Sequence, residues 1–84
     1  MADKQLKEEE VFVLSNLNLP RNFDTVTYKL SQEYEMNPGK AEKMVEGLNG
    51  ESVGYVEIYE IGIDRSCCLT EKGKRALESY HRQV

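Results

Sequence analysis

The 84-residue chain has a single histidine, His81, and only two cysteines, and nowhere does it carry the roughly 20 consecutive apolar residues that a bilayer-spanning helix needs. Its first stretch, Met1 to Glu10, is charged where a secretory leader would need an apolar centre, so a cytoplasmic protein with no membrane association is expected. There is no spaced Cys/His cluster, so neither a metal site nor a bound cofactor is expected. A glycine-rich phosphate loop is missing, and so is a nucleophile with an evident base and orienting group, which argues against an enzyme. Cys67 and Cys68 are neighbours; on an extended strand they point to opposite faces, which argues against a disulfide or shared metal ligation between them.

What remains is an ordinary globular composition, 39% hydrophobic and 31% charged. A chain of this length supports one core, so residues 1–84 are read as a single domain. The net charge of −4 is unevenly spread. Residues 33–64 carry eight acids against Lys40 and Lys43, while residues 65–84 carry five bases against Glu71 and Glu78. An acidic middle weighs against simple duplex binding, where Lys and Arg set against phosphates supply much of the affinity.

From Lys4 to Asn18, Leu6, Val13, Leu14 and Leu17 recur at helical spacing, and the segment stops at Pro20. Phe23-Asp24 reads as the start of a second helix, about Thr25 to Tyr34, with Asp24 as its cap and Phe23 packing on Tyr28 as a hydrophobic staple. Its buried stripe is Val26 or Thr27, Leu30 and Tyr34. Asn37-Pro38 opens a third helix, on which Ala41, Met44, Val45 and Leu48 form one apolar face before Asn49-Gly50 ends it. Two short helices joined by a tight turn make a helix-turn-helix pattern.

Beyond Gly54, Tyr55 to Ile61 is rich in β-branched and aromatic residues and reads as a strand. A turn over Gly62 to Ser66 and a return strand over Cys67-Cys68-Leu69 complete a hairpin. A last helix begins at Thr70, with Ala76, Leu77 and Tyr80 as its apolar face. The expected fold is α+β, mainly α, in the order α-α-α-β-β-α.

Leu69-Thr70-Glu71-Lys72-Gly73, followed by Ala76-Leu77, closely resembles the segment by which many bacterial, archaeal and phage winged helix-turn-helix proteins leave the second wing strand. Leu69 would plug the core, Thr70 would cap the helix, and Gly73 would let it lie close to neighbouring backbone. The resemblance implies a small DNA-binding transcriptional regulator, with the third helix in the major groove and the hairpin as a wing. On the third helix Gly39, Lys40, Glu42, Lys43, Glu46 and Gly47 face outward, and Lys40 and Lys43 are the candidate contacts to phosphate or guanine. Arg21 and Lys29, near the second helix, are candidates for phosphate, and Arg65, with Asp64 near the wing tip, is the wing's one useful cation. Few basic contacts per copy suggest a homodimer, for which Val11, Phe12, Leu77 and Tyr80 on the first and last helices are available.

Each signal has a plainer explanation. Lys40 and Lys43 also suit a solvated helix face, with Lys43 paired to Glu46. Tyr55 and Tyr59 alternate on one strand face, as a base-stacking platform would, yet core packing produces the same spacing. One cysteine near Arg65 suits an oxidant sensor, and equally a small buried hydrophobe. Lys72, Lys74, Arg75 and Arg82 form either a basic ridge or the outer face of a packed helix. A rival function follows from the charges: a protein-interaction adaptor whose acidic stretch, Glu33 to Asp64, docks on a basic protein partner.

Overall fold

The computed structural model describes residues 6–50 and 53–82. In chain order the elements are α1 (Glu8–Ser15), β1 (Arg21–Asn22), α2 (Phe23–Glu33), α3 (Pro38–Leu48), β2 (Val56–Ile61), β3 (Asp64–Leu69) and α4 (Glu71–Arg82), an α+β arrangement. The strands form one antiparallel sheet in the order β1-β3-β2. The expected α-α-α-β-β-α order therefore acquires a two-residue strand between the first two helices. β1 pairs Arg21 with Cys67 and Asn22 with Ser66, and so ties the start of α2 to the hairpin.

Asn22, not Asp24, caps α2: its side-chain oxygen accepts from the N–H groups of Asp24 (2.9 Å) and Thr25 (3.2 Å). The helix thus begins at Phe23, whose ring is wholly buried, while Tyr28 is 65% exposed. The Phe23–Tyr28 staple expected from the sequence is not formed, because the earlier start turns Phe23 into the core. The expected stripe is otherwise present, with Val26, Thr27 and Leu30 buried and Tyr34 half-buried. Between α2 and α3 the chain reverses through Glu35, which holds a left-handed φ of 49°, and Met36 N–H donates back to the Ser31 carbonyl (3.1 Å). That closes the helix end in a Schellman-type turn. Asn37 then caps α3 by accepting from Gly39 N–H at 2.7 Å, and Pro38 occupies the first turn, where its missing N–H costs nothing.

Ala41, Val45 and Leu48 of α3 meet Val13 and Leu14 of α1 and Val26 and Leu30 of α2 in a single core closed by Val56 and Cys67 of the sheet. The turn of the hairpin is tighter than expected. Ile61 pairs with Asp64, leaving only Gly62-Ile63 as the loop, and Gly62 takes φ +62° as the first central position of a II′ turn requires. Asp64-Arg65-Ser66 is strand, since each pairs across to β2.

The segment from Leu69 to Gly73 behaves as its chemistry suggests. Thr70 Oγ1 accepts from Gly73 N–H (3.0 Å), capping α4, and donates to the Gly54 carbonyl (2.6 Å). A Cβ on Gly73 would collide with the Tyr55 carbonyl, with its carbon at 2.9 Å, and reach Leu69 Cδ2 at 3.1 Å. Only glycine lets α4 sit this close to the chain before β2. No helix among the described residues is long and apolar enough to cross a membrane.

Candidate functional site

Helix α3 separates cleanly into two faces. Ala41, Val45 and Leu48 are buried and Met44 is half-buried, whereas Gly39, Lys40, Lys43, Glu46 and Gly47 are exposed. Glu42, expected on the outer face, is half-buried. Lys40 and Lys43 are three residues apart and so neighbours on the helix surface. Neither makes a hydrogen bond or ion pair with the described residues. The expected Lys43–Glu46 pair is absent because Glu46 turns instead to Arg65, Oε2 to Nη1 at 3.4 Å.

Arg65 is the residue the structure relocates most. Its guanidinium lies 3.9 Å from the centre of the Phe23 ring and bridges to Glu46. It is drawn back from the hairpin tip onto the start of α2 and the C-terminal part of α3, and does not serve as a cation at that tip. The tip itself is Gly62-Ile63, with Ile63 fully exposed and Ile61 60% exposed, and the exposed charges along the two hairpin strands, Glu57, Glu60 and Asp64, are all acidic.

Lys29 is exposed on α2 and unpaired among the described residues. Arg21 is exposed at the sheet edge, where its Nε donates to the Asn16 carbonyl at 2.6 Å. That bond ties β1 to the end of α1 and leaves the two terminal guanidinium nitrogens without a partner among the described residues. Of the six residues expected to touch nucleic acid, Lys40, Lys43 and Lys29 are exposed and without a partner among the described residues, Gly39 is exposed with its N–H given to the Asn37 cap, Arg21 is partly engaged and Arg65 largely so.

Other candidates resolve into packing. Tyr55 is 4% exposed, which rules out a stacking platform with Tyr59; Lys72 Nζ instead lies 5.6 Å from the Tyr55 ring centre. Cys67 is wholly buried and Cys68 half-buried, both as free thiols. Burial, with a smaller contribution from Cys68, pushes the Cys67 thiol up to about 11. Cys68 is raised too, by burial first and then by Glu57, against a lowering by Lys74. A sensor thiol needs the opposite shift, so the oxidant-sensor reading fails on its chemistry.

Val11, Phe12, Leu77 and Tyr80, considered above for a dimer interface, are half-buried against the protein's own core. Phe12 meets Tyr34 edge-on at 5.6 Å, and the Tyr34 hydroxyl donates to the Glu8 carbonyl at 3.3 Å. On α4, Lys74 pairs with Glu71 and Arg82 with Glu78, both at 3.9 Å and exposed. Arg75 has no such partner among the described residues. With Tyr55, Lys72 and Ala76 it lines a pocket of about 210 Å³ that sequence reasoning did not anticipate. Comparison with protein-family models, curated proteins and solved structures gives no match to this chain.

Proposed function

We propose that the chain is a winged helix-turn-helix domain that binds double-stranded DNA through α3 and acts in transcription regulation. The element order, the tight α2–α3 turn, the two-residue hairpin and the Leu69-to-Gly73 exit support the fold assignment. One observation carries the function: Lys40 and Lys43 stand on the outer face of a capped helix with no partner among the described residues, while Glu46, three residues beyond Lys43, is occupied by Arg65. The proposal assigns the domain no catalytic role.

In this reading α3 lies in the major groove, Lys29 and Arg21 touch backbone phosphate, and the hairpin, whose exposed charges are acidic, contributes no cation. Four cations, each neutralising one phosphate, give a slope of log K against log salt of about −3.6. Lys40→Ala and Lys43→Ala should each weaken duplex binding about threefold to tenfold at low salt and flatten that slope by about 1, without changing the melting temperature. Fluorescence anisotropy on a mixed-sequence duplex measures this; unchanged affinity in both variants rejects the proposal.

A second reading, the protein adaptor, is favoured by the hairpin. Its apolar tip, with Glu60 and Asp64 beside it and Glu57 further along β2, repels phosphate and suits a basic protein surface. Loss of a captured partner on Glu57→Lys with Glu60→Lys would support it, and retention of every partner would remove it.

A further inference from the structure

The geometry points to a head-to-tail contact between copies of this chain, in which the hairpin tip of one copy enters the pocket beside α4 of the next. The two halves of the contact are complementary in shape and in charge. The projecting half is Ile63, fully exposed on a two-residue loop, with Ile61 beside it and the exposed carboxylates of Glu60 and Asp64 flanking it. The receiving half is the pocket of about 210 Å³ lined by Tyr55, Ala76, Lys72 and Arg75. A cavity of about 150 Å³ accepts benzene, so this one has room for a four-carbon side chain.

Lys72 and Arg75 supply the opposite charge, and among the described residues neither is held by a carboxylate; Glu71 pairs with Lys74 instead. Lys72 rests on the Tyr55 ring, which keeps its ammonium at the rim. An incoming Ile63 would place Glu60 and Asp64 against that rim. The same hairpin cannot fill its own pocket, because Tyr55 and Ile61 are separated by the length of β2, roughly 20 Å. The contact is therefore made in trans.

Each copy carries one tip and one pocket on different surfaces, so the contact is heterologous and repeats, closing into a ring or running on as a filament. A single tip in a single pocket covers less than the roughly 1,200 Å² of a stable interface, so each link is weak and strengthens when copies are arrayed side by side. The contact does not depend on DNA binding; should both hold, an array multiplies the few cations that each α3 offers.

The test is sedimentation velocity on the full chain up to roughly millimolar concentration, at low and high salt. The wild type should rise in average mass with concentration at low salt and return toward the monomer at high salt. Ile63→Asp, which spoils the tip, and Lys72→Glu with Arg75→Glu, which spoils the pocket rim, should each associate at least about tenfold more weakly. All three side chains are exposed, so melting curves should match the wild type. Mixed together, the two variants should form a one-to-one dimer and nothing larger, because only one intact tip and one intact pocket remain per pair. A wild type that stays monomeric, variants that associate as the wild type does, or a mixture without dimers would each overturn the proposal.

Discussion

Replacing Gly73 with alanine separates local helix preference from tertiary packing. On propensity alone, alanine within a helix is worth about 1 kcal/mol over glycine. At Gly73 the new methyl would lie on the Tyr55 carbonyl, with that carbon at 2.9 Å and Leu69 Cδ2 at 3.1 Å. The carbonyl is backbone and also accepts from Thr70 N–H at 3.2 Å, so relief requires α4 to move and strains the bond that starts it. Overpacking of this kind costs about 1–3 kcal/mol, and loss of the hydrogen bond adds about 1 kcal/mol. The net expectation is destabilisation by about 1–3 kcal/mol, which for a domain of this size lowers the melting temperature by roughly 5–20 °C. Gly47→Ala is the control, since nothing lies within 4 Å of the added methyl near the end of α3. It should be neutral or stabilise by up to about 1 kcal/mol. Thermal and urea unfolding of the two variants decides it. A Gly73→Ala protein as stable as the wild type would refute the close approach of α4 to Tyr55.

Other expectations are equally specific. Asn22→Ala should cost about 1 kcal/mol in urea unfolding through loss of the α2 cap, whereas Asp24→Ala should cost only a few tenths, and the reverse order would restore Asp24 as the cap. Cys67 should make stability pH-dependent in the alkaline range. Its folded thiol is raised from 9.0 to about 11, so the folded state keeps a proton that the unfolded state loses. This contribution is complete below about pH 9 and disappears as the pH climbs toward 11; Cys67→Ala should flatten that decline, and an unchanged profile would count against it. Under native conditions an alkylating reagent should modify Cys68 well before the buried Cys67.

Much of the fold was legible because it is written in short-range periodicity and in punctuation. The apolar face of α3, the cap at Asn37 and the Thr70-to-Gly73 exit are each set by residues within a turn or two of one another. β1 was not legible, since Arg21 and Asn22 carry no pattern of their own and become a strand only by pairing with Cys67 and Ser66. The polar character of Asp64-Arg65-Ser66 resembled a turn; cross-strand pairing to β2 made it strand. Within the candidate site, Lys40 and Lys43 could be placed outward from helix phase alone. The position of Arg65 could not, because its partners Phe23 and Glu46 are 42 and 19 positions away in sequence. The pocket beside α4 depends likewise on Tyr55 meeting Lys72 across a tertiary contact.

An NMR titration of labelled protein with a mixed-sequence duplex at low salt tests the central claim most directly. The account predicts amide shifts concentrated in residues 38–48, with smaller ones near Lys29 and Arg21, that shrink as salt rises and leave Gly62-Ile63 largely unmoved. No shifts at low salt, or shifts confined to α4 and the hairpin tip, would contradict it.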